Sequence, residues 1–284
     1  MAGLSALVLA GRRGPRDPLA DAHGASHRAL LEVGGVPMLL RVVRALRTAG
    51  HFDRLHVSIE APERLEALPE LAALIRSREL VVHASADSPS RSVLAVLRER
   101  EDEPFLVTTA DHALLTPEML DFAVGASARS RADLLVGFVA RSVVQARYPA
   151  SPRTYFRLRG EAWTGANLFV FRTAASRRAA EFWRRAERHR KRPWRLVTAI
   201  GPGLLASYFL GRLDLDAALA RASSRIGARV QALPLPFAEA AIDVDREADR
   251  VLVESILAQR SSEQHESSVP SGGPSARKPP VASS

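Results

Sequence analysis

Cysteine is absent from this chain, so neither a disulfide framework nor thiolate metal ligands enter the account. Lysine is nearly absent as well: Lys191 and Lys278 are the only two, and almost every cation is an arginine. Tyrosine and tryptophan occur three times each, and no familiar nucleic-acid-binding module is present, which argues against a nucleic-acid partner. Long hydrophobic runs are missing too. The longest, LVTAIGPGLLASYFL from Leu196 to Leu210, is interrupted by Gly-Pro-Gly and is shorter than the roughly 20 residues that span a bilayer. It predicts a buried helix, the alternative being contact with a membrane surface. The opening MAGLSALVLAG lacks the basic flank and apolar length of a signal peptide, and the expected location is cytoplasmic.

What is present suffices for a sizeable core: 284 residues, 46% hydrophobic, enough for one large domain or two small ones. The net charge of +9 is concentrated rather than spread. Between Arg172 and Arg195 ten arginines or lysines stand against Glu181 and Glu187. A helix there would place Phe182, Trp183 and Ala186 on one face and guanidinium groups around the rest. That pattern suits a local anionic partner or a plain solvated helix face.

Strand-like and helix-like runs alternate along the chain. LSALVLA leads to a helix from about Val36 to Ala49, RLHVSIE to one over 62–77, and ELVVHA to one from about Pro89 to Arg100. PFLVTTA precedes a helix opened by Thr116-Pro117-Glu118, with threonine as the cap and proline in the first turn. Repeated β-α-β units with strands apolar on both faces predict an α/β fold, a mostly parallel sheet covered on both sides. After Asp133 the strands DLLVGFVA, RTYFRLR and ANLFVFR predict a mixed sheet, followed by helices near 174–190, 196–210 and 214–226. A strand RVQALPL and a helix from about Arg246 to Gln259 close the pattern. The Ser/Pro/Gly-rich residues 261–284 read as a disordered tail.

Ligands of open parallel sheets sit beyond the carboxyl ends of the strands, so the loops there carry the chemistry. In AGRRGPRD, residues 10–17, Gly11 and Gly14 allow close backbone approach while Arg12, Arg13 and Arg16 add positive charge, which describes either a phosphate cradle or an ordinary surface loop. Asp111 follows the strand PFLVTT, where a carboxylate is placed to hold a hard cation such as Mg²⁺ or simply to face solvent in a turn. Asp243 and Asp245, two residues apart at what reads as a strand end, project to one side; Asp245 is equally placed to cap the last helix.

Taken together these segments resemble the MobA-like nucleotidyltransferases. Leu9, Ala10, Gly11, Gly14 and Arg16 match the opening loop of that family, and Gly35, Pro37 and Met38 its Gly-x-Pro-Met/Leu. SPSRSVLAVL (88–97) resembles the nucleoside-binding turn, TTADHALLTPEML the metal-binding aspartate segment, GANLFVFR the acceptor-side strand, and IDVDREAD the closing acidic motif. Two positions depart: Arg12 stands for a loop glycine, and the loop lysine falls at Arg28 after the insertion DPLADAHGAS. Arginine keeps the charge but is a broader, planar fork.

The resemblance covers roughly residues 4–258 and implies a three-layer Rossmann-like, glycosyltransferase-A-like fold over 1–260, with a helical acceptor-side insertion at about 172–228. It implies Mg²⁺-dependent transfer of an NMP group from an NTP to a phosphorylated acceptor (a sugar, polyol or cofactor phosphate), with release of pyrophosphate. Arg16 and Arg28 would meet the phosphates; Leu9, Ala10, Gly11, Gly14, Ser90 and Ser92 would surround the nucleotide. Asn167 would lie near the acceptor, and Asp111 and Asp245, with Asp243 as alternate, would hold the metal. The Arg172–Arg195 segment would then serve the acceptor side, where Arg184, Arg185, Arg188 and Arg192 face a phosphorylated substrate or an anionic membrane surface carrying it and Trp183 and Trp194 anchor the helices. Competing readings are a sugar-nucleotide glycosyltransferase and a catalytically impaired nucleotide-binding protein.

Overall fold

The computed structural model describes residues 3–12, 14, 16–100, 104–188, 207–208 and 210–268. Strand β1 (Leu4–Leu9) runs parallel between β4 (Phe52–Ile59) and β6 (Phe105–Thr109), and β5 (Leu80–Ala84) continues parallel beside β4. Beyond β6 comes β9 (Ala162–Phe171), antiparallel both to β6 and to β7 (Leu134–Ala140), and then β10 (Val230–Pro234), parallel to β7. The order is β10-β7-β9-β6-β1-β4-β5, with the short β8 (Phe156–Arg157) paired to β9. The fold is α/β with a mixed, mostly parallel sheet.

Alternation along the strands explains the two covered faces. Ala6 and Val8 of β1 pack with Ile59, Leu106 and Leu168 under helix α2 (Met38–Ala49) and α5 (Pro117–Arg129). Leu7 of β1 packs with Phe105, Val107 and Phe171 under α4 (Pro89–Glu99) and α7 (Arg177–Arg188). In α2, Leu39, Val42, Val43 and Leu46 repeat at helical spacing toward the sheet, and Gly50 ends the helix in the left-handed region. Thr116 caps α5 by accepting the Met119 N–H at 3.4 Å, with Pro117 in the first turn, as its sequence predicts. Where β7 bulges against β9, only glycine fits at 137, because a Cβ there would stand 2.8 Å from the Leu168 carbonyl.

Several boundaries differ from the sequence pattern. Val36 and Pro37 form β3 of a small hairpin with β2 (Glu32–Val33), so the helix starts at Met38. The 62–77 segment divides into a 3₁₀ turn (Pro62–Leu65) and α3 (Pro69–Arg76), since Pro69 cannot continue a preceding helix. The insertion holds α1 (Pro18–Ala22), capped by Asp17, and α6 (Arg141–Arg147) follows β7. Helix α8 spans Leu215–Ile226. The closing helix, α9, runs Glu247–Ser268, so residues 261–268 are helical rather than part of a tail; residues 269–284 and most of the expected 196–210 helix lie outside the described residues. Among the described residues no helix is long and apolar enough to cross a membrane.

Helix α9 fixes the chain's end to its beginning. Val253 and Ile256 pack with Leu19, Val33, Met38, Leu114, Ile242 and Val244, which brings the 242–245 segment beside the loop that follows β1.

Candidate functional site

Register places Leu9, Ser58 and Thr109 side by side at the carboxyl ends of β1, β4 and β6. All three line a cleft of about 510 Å³ that also takes in Gly11, Arg12, the 86–89 turn and Asp111. Main-chain bonds hold its floor: Ala10 N–H donates to Ser58 O at 2.8 Å, and Ala110 N–H to Leu9 O at 2.9 Å. Gly11 passes so close to the neighbouring loop that a Cβ would lie 3.2 Å from Ser85 Oγ.

Three carboxylates meet at one end of the cleft. Asp111, Asp243 and Asp245 each bring an oxygen within 4.8 Å of the others. Asp111 is buried just past β6; Thr109 Oγ1 donates to its Oδ1 at 2.5 Å, and its main-chain carbonyl accepts from Val244 N–H at 3.0 Å. That last bond draws the late segment onto the middle of the sheet. Residues 242–245 are not a strand end, as the pattern suggested, but an irregular stretch after a 3₁₀ turn (Ala238–Ala241). Asp249 Oδ2, from the first turn of α9, accepts the N–H groups of Asp245 and Arg246, at 3.2 and 3.0 Å.

Each late aspartate has an arginine partner. Arg153, 9% exposed, donates to Asp243 at 2.6 Å and to Asp249 at 2.9 Å, while Asn167 Nδ2 donates to the other Asp243 oxygen at 3.3 Å. Burial, and then the nearby Asp245 charge, push the Asp243 carboxyl above the usual carboxylate range against the pull of Arg153. Arg28 donates to Asp17 at 3.1 Å, to the Val244 carbonyl at 2.6 Å and to Asp245 at 2.8 Å. Its guanidinium therefore sits at the acidic cluster, tied to protein rather than open to solvent. Three carboxylates, one of them buried, form an all-oxygen donor set that fits a hard divalent cation.

A second acidic centre lies on the other side of the loop. Glu60, one residue beyond β4, accepts the Arg12 N–H at 3.1 Å from each carboxylate oxygen and faces Arg12 Nε at 3.2 Å. Glu60 Oε1 also receives His27 Nε2 at 3.0 Å. Because His27 Nδ1 accepts the Ala29 N–H, the imidazole proton resides on Nε2 and is donated to Glu60. Burial lowers the His27 pKa despite Glu60, so the ring is neutral. For Glu60, burial works against the charge, yet bonds from its own main chain, His27 and Arg12 hold the carboxyl below its ordinary range.

The remaining expected residues divide. Ser92 lines the cleft and accepts the Ala86 N–H at 2.9 Å, shaping the turn. Ser90 is fully buried; its hydroxyl bonds Glu187 of α7 at 2.5 Å and Ser88 Oγ at 3.2 Å, so it meets the cleft through those two lining residues. Gly14 is half-buried and Arg16 exposed, both in the loop leading to Asp17. Helix α7, read from sequence as acceptor-side, packs against α4 and closes the cleft with Trp183 and Glu187 beside the 86–89 turn. The side chain of Arg188, and all of Arg192 and Trp194, lie outside the described residues. Sequence reasoning missed Asp17, Glu60, Arg153 and Glu187. Glu60 alone had a local signal, a carboxylate directly after a buried strand.

The model of the MobA-like NTP transferase domain matches residues 6–198. A structure described as a hypothetical transferase from Thermus thermophilus is 31% identical, with a TM-score of 0.73, covering 88% of this chain and 100% of its own. CMP:2-keto-3-deoxy-manno-octonic acid synthetase complexed with CTP (TM-score 0.54, 12% identity, 91% of this chain and 100% of that one) shares the fold. So does 4-diphosphocytidyl-2C-methyl-D-erythritol synthase from Anaerococcus prevotii (TM-score 0.53, 9% identity, 90% and 99%). No curated protein matches the chain.

Proposed function

This chain belongs to the MobA-like NTP transferase family, and on that premise we propose that it transfers the NMP group of an NTP to a phosphorylated small-molecule acceptor. The meeting of Asp111, Asp243 and Asp245 beside the β1 loop carries the reading. An acceptor phosphate oxygen attacks the α-phosphorus as the bond to the β-phosphate oxygen breaks, and pyrophosphate leaves. Bound at the three carboxylates, Mg²⁺ would neutralise phosphate charge and help orient the triphosphate.

The chain's own residues supply position and charge, which is most of what phosphoryl transfer asks of a protein. Leu9, Ala10, Gly11 and Gly14 let the backbone lie along the nucleotide, and Ser92 shapes the turn that borders it. Arg28 and Arg16 face the phosphates, Arg28 exchanging its bond to Asp245 for a phosphate oxygen. Asn167, next to Asp243, directs the acceptor toward the acidic cluster. The engagement of Arg28 by Asp17 and Asp245 favours a second reading, a nucleotide-binding protein with impaired catalysis.

Pyrophosphate release separates the two. Purified protein with Mg²⁺, each of the four NTPs and a panel of sugar, polyol and cofactor phosphates should liberate pyrophosphate with at least one pair. Binding of an NTP without release across the panel supports the impaired reading. Transfer of a sugar from a nucleotide sugar overturns both.

A further inference from the structure

One wall of the cleft presents an indole and a carboxylate rather than a cation. Trp183 and Glu187 stand one helical turn apart on α7 and line the cleft beside the 86–89 turn. Both are held. The indole stacks on Phe169 of β9 with ring centres 6.1 Å apart and planes 28° apart, and Ser90 Oγ fixes Glu187 Oε2 at 2.5 Å. A carboxylate repels the phosphates of nucleotide and acceptor alike, so this wall suits the uncharged part of the ligand. An ionised carboxylate accepts hydrogen bonds and donates none.

Resting on the nucleotide reading above, we propose that Trp183 and Glu187 are specificity-determining residues that read the base: the indole offers an apolar face for the ring, and Glu187 accepts N–H donors from its edge. The chemistry orders the four bases. Guanine, adenine and cytosine each carry an exocyclic amino group. Uracil offers a single N–H between two carbonyl oxygens that would be driven against the carboxylate. The wall therefore selects against UTP. The arginine-rich helix thus has its one cleft-facing acid where a base, not a phosphate, must lie.

Isothermal titration of ATP, CTP, GTP and UTP with Mg²⁺ into wild type, Glu187→Gln and Trp183→Ala tests this, with 2′-deoxy counterparts as the ribose control. Wild type should bind UTP weakest by about tenfold or more, the scale of one charge-assisted hydrogen bond. Glu187→Gln, whose amide both donates and accepts, should recover about tenfold for UTP relative to the other three and leave the deoxy penalty unchanged. Trp183→Ala should weaken all four by about tenfold. An unaltered ranking in Glu187→Gln, or a lost deoxy penalty in place of lost base choice, overturns the inference while the nucleotide reading stands. Failure of wild type to bind any NTP removes that reading and the inference with it.

Discussion

Both oxygens of the Glu60 carboxylate receive the Arg12 main-chain N–H, each at 3.1 Å, so an amide that the loop would turn toward a phosphate is already paired with an anion. The same carboxylate accepts a hydrogen bond from His27 Nε2–H, which joins the β1 loop to the turn carrying Arg28. Glu60→Gln should loosen this junction. Losing a charged acceptor shared by the Arg12 amide, His27 and the Ser85 hydroxyl should cost about 1–3 kcal/mol of stability. Hydrogen exchange at the Arg12 amide should quicken, and thermal unfolding should shift downward; an unchanged exchange rate would show that the loop is held by other contacts.

Asp111→Ala and Asp245→Ala should abolish turnover while the circular dichroism spectrum stays native. Removing a carboxylate from the cation site should cost several kcal/mol of transition-state stabilisation, about 10³-fold or more in rate. Asp243→Ala should in addition lower the melting temperature, because it leaves the nearly buried Arg153 with Asp249 as its remaining ion-pair partner. Normal steady-state rates in any of the three would take that residue out of the site.

Arg28 separates charge from shape. Arg28→Ala should reduce kcat/KM by ~10²-fold through a lost charge-assisted phosphate contact. Lysine restores the cation but not the fork that spans Asp17 and Asp245, so Arg28→Lys should fall between alanine and wild type in both rate and melting temperature. Equal kinetics for wild type and alanine would move the phosphate contact to another loop arginine, Arg12 first.

His56 on β4 sets a pH limit on stability. It is fully buried, stacked on His83 of β5 with ring centres 5.1 Å apart and edge-on to Phe105. Burial, then the neighbouring His83 and nearby arginines, lower its pKa to about 4. Since an unfolded histidine titrates near 6.5, the unfolded chain takes up a proton in this window that the folded chain refuses. The stability gained from the neutral ring is full above about 6.5 and is lost as pH falls toward 4, by about 3 kcal/mol. Calorimetric melting between pH 7.5 and 4.5 should show the slope, and His56→Leu should reduce it without abolishing it, because His112, also buried, has its pKa lowered to about 4 as well.

Local pattern was enough for the sheet strands and the main helices. Strand alternation, the Thr116-Pro117 cap and the glycine after α2 are short-range properties, written within a few residues of where they act. Asp111 was legible for the same reason, since a polar residue directly after a buried strand must emerge at the sheet's carboxyl edge. The order of motifs further identified the family, and with it the late acidic pair.

What stood near that edge from far along the chain was decided by packing alone. Asp243 and Asp245 reach Asp111 because Ile242, Val244 and the α9 side chains Val253 and Ile256 bury themselves against the first 40 residues, a contact spanning more than 200 positions. The partners of Arg28, Arg153 and Arg12 followed from the same closure, for an arginine in an arginine-rich sequence gives no sign of which carboxylate will be within reach. The placement of α7 was likewise unreadable. Burial of Ala179 and Ala180, with Trp183 packed beside them against Phe169 of β9, turned Glu187 into the cleft, which the basic composition of the helix does not announce. Sequence determined which chemical groups were available and the local elements that carry them; long-range burial of apolar surface, which no short stretch encodes, determined which of those groups meet.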